Sequence, residues 1–183
     1  MRIVAPEMPA IAVSVIGDER SAGFVALGMA QASGKPVVVV CTSGTAVYNL
    51  GPAVAEAYFS QTPLVILSAD RPAEWIAQHD GQTIHQTEIF GKHVKRFYQL
   101  PQDYEHADSV WAINRMVNEA VTLSLQYPPG PVHINAPFRE PLYPSGNEGR
   151  IEFTSGVRIL REHPSVPGLP ENLEKTLHNA WRD

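Results

Sequence analysis

The stretch Val37-Val38-Val39-Val40-Cys41-Thr42-Ser43-Gly44-Thr45 joins an apolar strand to a hydroxyl-rich turn that can begin a helix. Because the strand is apolar on both faces, it is typical of a parallel sheet that helices cover on both sides. A glycine among small polar residues lets the backbone turn sharply after such a strand. We therefore expect a strand at 36–41 and a helix that begins at Thr45 and continues to about residue 60.

Strand and helix patterns alternate on both sides of this stretch. Apolar runs rich in β-branched residues predict further strands at 11–16, 63–68 and 131–135. Apolar residues at helical spacing predict helices at 21–33 and 108–126, and a short helix is expected near 86–91. This order predicts an α/β fold in three layers, with a mostly parallel, doubly wound sheet between two layers of helices.

The composition excludes several classes of protein. The chain has 183 residues, a formal net charge of −5 and one cysteine. Mild acidity argues against a nucleic-acid surface, and a single cysteine excludes an internal disulfide and a thiolate metal cluster. No apolar run is long enough to cross a membrane and the first residues lack a signal-peptide pattern, so we expect a cytoplasmic location. Proline, glycine and serine become frequent after Pro144, which predicts a domain at 1–144 and, at 145–183, a linker and the start of another domain.

Two acidic residues lie where the expected strand at 11–16 meets the expected helix at 21–33. Asp18 is suited to cap that helix, and Glu19 then falls at the carboxyl end of the strand, where open α/β sheets bind ligands. A carboxyl group walled by apolar residues suits a proton-handling role. The alternative is that Glu19 only offsets the positive end of the helix dipole.

Polar segments follow the first three expected strands, at 18–20, 42–45 and 68–72, and a fourth polar segment follows at 80–86. Because parallel strands end at the same edge of a sheet, an acid, hydroxyls, an arginine and amides are expected to meet near one cleft. Parallel sheets always gather polar loops at this edge, so such loops can also have no function. Neither a Gly-x-Gly-x-x-Gly nor a His-Glu-x-x-His motif occurs, so the sequence contains no nicotinamide fingerprint and no metalloprotease site.

These motifs, in this order, resemble the pyrimidine-binding domain of thiamine-diphosphate enzymes. Glu19 precedes a helix rich in alanine and glycine, Thr42-Ser43-Gly44 follows a strand, and an apolar strand at 64–67 comes next. The likeness is closer to the branch of this family that acts in menaquinone biosynthesis. Five ordered phrases, spread over most of 13–143, carry that likeness: Asp18–Ala22, Thr42–Val47, Ala69–Pro72, Gln82–Gln86 and Val132–Leu142.

The resemblance implies a role for each candidate site residue. As the family's glutamate, Glu19 would contact the pyrimidine ring of thiamine diphosphate and be the catalytic residue that activates the cofactor. Arg71 and Gln82 would bind substrate, because a guanidinium can hold a carboxylate through two hydrogen bonds. Arg71 could instead form a surface or interdomain salt bridge. The cofactor-binding residues would be Glu19, Thr42, Ser43, Gly44 and Thr45.

The implied reaction is a transferase reaction that decarboxylates 2-oxoglutarate and adds its succinyl-semialdehyde unit to isochorismate. Two family segments lack a counterpart here: the first strand–helix unit is missing or reduced, and no Gly-Asp-Gly motif occurs. In the family that motif holds Mg or Mn and the diphosphate, so no metal ligand is assigned in this chain. The resemblance implies a homo-oligomer in which the diphosphate-binding domain of a partner subunit completes the site. We therefore expect a truncated chain that is inactive alone.

Two alternatives remain at this point. The domain could belong to another thiamine-diphosphate enzyme, similar to acetolactate synthases, or it could be a non-catalytic interaction module with the same fold. Turnover of isochorismate rather than pyruvate would separate the two kinds of enzyme. A Gly-Asp-Gly…Asn motif encoded after Asp183 would favour an enzyme over a module.

Overall fold

The computed structural model describes residues 11–139. Four strands form one parallel sheet in the order β1-β2-β4-β3. They are β1 (Val37–Cys41), β2 (Leu64–Asp70), β3 (Phe97–Gln99) and β4 (Val132–Pro137). The α-helices are α1 (Glu19–Ser33), α2 (Thr45–Asn49), α3 (Gly51–Phe59) and α4 (Ala107–Leu125). Two short 3₁₀ helices, Ala73–Trp75 and Gly91–His93, lie between β2 and β3.

Helices cover the central strands on both faces. Successive residues of β2 point to opposite faces of the sheet. On one face, Leu64 and Ile66 pack with α1, α2 and α3 in one apolar core. On the other side, Val65 and Leu67 pack with Ala120 of α4. Burial of both faces explains why β2 is apolar over most of its length. The expected α/β fold, a doubly wound parallel sheet between two layers of helices, is confirmed.

The ends of α1 follow from its sequence. The Asp18 carboxylate accepts the N–H of Ser21 at 2.7 Å, and Gly34 ends the helix in the left-handed conformation with φ 65°. Both features confirm the expected start and stop signals. The single helix expected at 45–60 is instead divided at Leu50 into α2 and α3. Pro52 explains the division, because proline has no N–H to donate and its ring crowds the preceding turn.

The first expected strand, at 11–16, is absent from the sheet, so that prediction is wrong. Ile11, Val13 and Val15 are each more than half exposed to solvent. None of the four described strands pairs with this segment, and a single unpaired strand has no ladder of hydrogen bonds to stabilise it. The segment therefore has the amino-acid composition of a strand but does not pair with another strand.

The edge strand β1 also differs from the expectation. Val38 and Val40 are 53% and 69% exposed, so β1 is covered on one face and not on both. The cause is the position of α4, which packs against β2 and β4 on that side. Strand β3 was not expected, because three residues are too few to show a period. The short helix expected near 86–91 is a turn followed by the 3₁₀ helix Gly91–His93.

Two other expectations concern the domain boundary and the crossing of a membrane. The expected domain boundary after residue 144 lies outside the described residues. Within residues 11–139, no helix combines the length and the apolar character that a bilayer crossing requires.

Helix α1 lies very close to α3 at Gly23. A Cβ atom added at Gly23 would lie 2.9 Å from the Ala53 Cβ, whereas one added at Gly28 would meet nothing within 4 Å. We expect Gly28→Ala to raise the free energy of unfolding by up to about 1 kcal/mol, because alanine favours a helix. Gly23→Ala is expected to lower it by about 1–3 kcal/mol through overpacking. Urea unfolding of both variants measures the difference, and equal stabilities would contradict the close packing.

Candidate functional site

Glu19 is the first residue of α1 and lies near the carboxyl end of β1. Its side chain is partly buried. Cys41, the last residue of β1, is 8% exposed, and burial raises the pKa of its thiol to about 12, with a further contribution from the charge of Glu19. Cys41 is therefore a neutral core thiol and not a nucleophile. Only residues 34–36 join the end of α1 to the start of β1, and α1 packs against β1, so the start of α1 lies toward the carboxyl end of the strand.

The turn at 42–45 presents its side chains unequally. Gly44, the N-cap of α2, has φ 81° and ψ −142°, a conformation that is open to glycine and strained for other residues. Ser43 is buried at 6% exposure, whereas Thr42 and Thr45 are exposed. Two of the four turn residues, Thr42 and Thr45, thus present their hydroxyls outward, and Ser43 and Gly44 shape the turn from within.

The loop at 80–86 packs directly on this turn. A Cβ atom added at Gly44 would lie 2.8 Å from the carbonyl oxygen of Gln82 and 2.9 Å from its Cα. Gln82 itself has a positive φ of 56° and an exposed side chain. The structure therefore brings together two segments that the sequence placed at the same edge, the hydroxyl turn and the loop with the candidate substrate amide.

Arg71 lies at the wall of a cavity of about 210 Å³. The described residues that line the cavity combine cations, aromatic rings and one acid: Arg71, Pro72, Trp75, Asp80, Phe138 and Arg139. The Arg71 Nε lies 3.4 Å from the Asp80 Oδ2, so the alternative of a salt bridge is also met. Two guanidinium groups beside aromatic rings suit an organic anion, because each guanidinium can bind a carboxylate. Glu19 is not among these lining residues.

Sequence reasoning assigned no role to a group of buried polar side chains beneath this edge. All five are at most 8% exposed: Ser68, Asp70, Gln86, His133 and Asn135. The four strand residues share one face of the sheet, since Ser68 is in register with Asn135 and alternate residues of a strand face the same side, and Gln86 reaches them from the loop at 80–86. The Asn135 Nδ2 donates to the Asp70 Oδ2 at 2.6 Å, and its Oδ1 accepts from Ser68 at 2.8 Å and from Gln86 at 2.9 Å. We call these five residues the buried polar network. Its only signal in the sequence is polar residues within apolar strands.

The hydrogen bonds of the network have one consistent direction. The Ser68 hydroxyl donates its single proton to Asn135, so it must accept from the His133 Nε2, which lies 2.8 Å away. His133 therefore carries its proton on Nε2. It packs between Phe90 and Phe97, with ring centroids 4.9 and 5.2 Å away. Burial lowers the pKa of His133 to about 4, so the ring is neutral in the native protein at neutral pH.

The neutral His133 makes stability depend on pH. The unfolded chain binds a proton at this histidine below its ordinary pKa of 6.5, whereas the folded chain does not until about pH 4. Stability should therefore fall as the pH falls from about 6.5 to 4, by about 3 kcal/mol in total. Burial raises the pKa of Asp70 above 3.8, which acts in the opposite direction.

Denaturant unfolding between pH 7 and 4 tests this dependence. His133→Asn should flatten the slope even where it lowers the stability itself. The exposed His85 gives a matched control, since His85→Gln should leave the slope unchanged. A slope that is the same in wild type and His133→Asn would contradict the assignment.

Comparison with known proteins identifies the family. Residues 5–89 match the family described as thiamine pyrophosphate enzyme, N-terminal TPP binding domain. Residues 5–89 therefore belong to this family of N-terminal domains. The matched range includes α1, the turn at 42–45, Arg71 and the loop at 80–86, so it contains all seven of the predicted site residues.

Three relatives of the chain share one name. The chain is 50% identical over 167 residues to a 2-succinyl-5-enolpyruvyl-6-hydroxy-3-cyclohexene-1-carboxylate synthase (SEPHCHC synthase) of Cytophaga hutchinsonii, covering 91% of the chain and 29% of that relative. The synthase of Bacteroides thetaiotaomicron is 50% identical over 86% of the chain and 28% of the relative. That of Geobacillus kaustophilus is 45% identical over 88% and 28%. The chain thus spans less than a third of the length of these relatives.

Proposed function

We propose that this chain forms the pyrimidine side of a thiamine-diphosphate site in a cytoplasmic SEPHCHC synthase. The reaction would decarboxylate 2-oxoglutarate and join the remaining four-carbon unit to isochorismate. One observation carries the proposal: the partly buried Glu19 begins the helix α1 toward the carboxyl end of β1, in a chain that is half identical to SEPHCHC synthases.

The described residues fit this side of the cofactor. Thiamine diphosphate, when bound, supplies the chemistry that removes carbon dioxide and forms the new carbon–carbon bond. Glu19 would share a proton with a ring nitrogen of the pyrimidine and fix the orientation of the ring, which suits its partly buried position. Thr42 and Thr45 would present their hydroxyls toward the cofactor, with Ser43 and Gly44 holding the turn in shape.

The substrate side would be formed by Arg71 and Gln82. Both proposed substrates are carboxylates, and the cavity beside Arg71 also contains Arg139. A bound carboxylate would compete with Asp80 for the Arg71 guanidinium, while Trp75 and Phe138 would exclude water from the pair. In the structure, Asp80 supplies the counter-charge of Arg71.

The diphosphate side has no counterpart among the described residues. Within 11–139, no group of three or more His, Cys, Asp and Glu side chains could hold a metal ion. The proposal therefore assigns Mg or Mn and the diphosphate to the diphosphate-binding domain of a partner subunit in a homo-oligomer. Glu19 and the turn at 42–45 would face that domain.

The test uses the product of the full open reading frame that carries this sequence. It is supplied with thiamine diphosphate, Mg²⁺, 2-oxoglutarate and isochorismate, and both carbon dioxide and the mass of the product are measured. We expect a product that requires both substrates. Turnover of pyruvate in their place would favour an enzyme similar to acetolactate synthases, and absence of cofactor binding would favour an interaction module.

A further inference from the structure

Gln86 connects three segments of the chain that meet at the carboxyl edge of the sheet. Its side chain is 1% exposed. The amide oxygen accepts the N–H of Gly44 at 2.7 Å, and the amide nitrogen donates to the carbonyl of Ala69 and to the Asn135 Oδ1, both at 2.9 Å. The turn after β1, the end of β2 and strand β4 are therefore held by one side chain.

The bond to Gly44 stabilises a conformation that has little support of its own. Gly44 has a positive φ, and the turn that it forms has no side-chain cap at the start of α2. Among residues 11–139 its N–H donates to Gln86 alone, and the same loop lays the backbone of Gln82 where a Cβ of Gly44 would be. The turn and the loop are thus closely packed at Gly44.

Both N–H groups of the Gln86 amide are used within the protein. One carbonyl oxygen accepts from Gly44 and two N–H groups donate to Ala69 and Asn135, so the side chain has no donor left for a ligand. Since the amide is fully buried and satisfied, it cannot contact substrate. Its effect must reach the site through Gly44.

We infer that Gln86 is a positioning residue, which fixes the turn at 42–45 and the loop carrying Gln82 as one unit for cofactor binding. The inference rests on the proposed function, because it takes the turn to be part of the thiamine-diphosphate site. Without the hydrogen bond between Gln86 and Gly44, the turn at 42–45 can move relative to the loop. The hydroxyls of Thr42 and Thr45 then lose their fixed direction, while both cores of the sheet stay intact.

The test compares Gln86→Met with Ser68→Ala in the product of the full open reading frame. Ser68 belongs to the same buried polar network, but its recorded bonds go to His133 and Asn135 and none goes to the turn. Two quantities are measured: the hydrogen-exchange rate of the Gly44 amide, and the dissociation constant of thiamine diphosphate from the quenching of tryptophan fluorescence. Both variants should lower the midpoint of urea unfolding.

In Gln86→Met we expect Gly44 to exchange at least about tenfold faster. The dissociation constant should rise by about 10- to 100-fold, as misplaced binding groups lose affinity. In Ser68→Ala both quantities should stay within about threefold of wild type. Equal changes in the two variants, or faster exchange with unchanged affinity, would overturn the positioning role.

Failure of the proposed function gives a different result. If wild type does not bind thiamine diphosphate, the proposed function is wrong. If the Gly44 amide exchanges at the wild-type rate in Gln86→Met, the positioning role of Gln86 is overturned. If Gln86→Met does not fold, wild type decides the question. Its Gly44 amide is expected among the slowly exchanging amides, and rapid exchange there would contradict the inference.

Discussion

Replacing Glu19 by glutamine is expected to lower kcat by about 10²–10⁴-fold, the range typical of a lost acid–base group, with the fold retained. Glutamine has nearly the same size as glutamate, and the cap of α1 is made by Asp18 rather than by Glu19. The amide cannot share a proton with a ring nitrogen of the cofactor as a carboxylate can. The measurement is steady-state turnover of the full open-reading-frame product, with urea unfolding as the check on stability.

A matched control separates this role from the helix dipole. Asp108 lies in the first turn of α4, as Glu19 lies in the first turn of α1, and it is strongly exposed. If Glu19 only offsets a dipole, Glu19→Gln and Asp108→Asn should each change stability by less than about 1 kcal/mol and leave turnover unaltered. A large loss of kcat in Glu19→Gln alone supports the proton-handling role. The exchange of deuterium from the thiazolium ring of the bound cofactor provides a further check. If its rate in Glu19→Gln equals the wild-type rate, the proton-handling role is contradicted.

The sequence predicted the central sheet well because its signals are local. Three local signals each determine the structure of the residues around them: the four consecutive valines, the cap at Asp18 and the stop at Gly34. All three are confirmed. The strand at 11–16 failed for a different reason. Its residues have the composition of a strand, but pairing depends on a partner strand, which no local pattern reports.

The site was predicted as a set of segments and not as a geometry. The sequence placed the turn at 42–45 and the loop at 80–86 at one edge, and the contact of Gly44 with Gln82 shows that they touch. It could not show that Gln86 and Asn135 are buried and bonded to each other. A glutamine in a polar loop is usually exposed, and its burial results from tertiary hydrogen bonds that have no sequence period.

Gly44→Ala is expected to cause the largest loss of stability among substitutions by alanine at the described glycines. Two costs add. Alanine is strained at φ 81° and ψ −142°. Its Cβ would also lie within 2.8–2.9 Å of three backbone atoms of Gln82, which cannot rotate away as a side chain could. We expect the free energy of unfolding to fall by about 2–4 kcal/mol, unless the loop at 80–86 moves.

Gly91 provides the control that separates the two costs. It also has a positive φ, 51°, but an added Cβ there would meet nothing within 4 Å. Gly91→Ala should therefore show the conformational cost alone, about 1 kcal/mol. Urea unfolding of both variants gives the difference, which combines the contact with Gln82 and the strain of the Gly44 ψ of −142°. If Gly44→Ala costs no more than Gly91→Ala, the loop yields easily, and the turn and the Gln82 loop do not form one rigid unit.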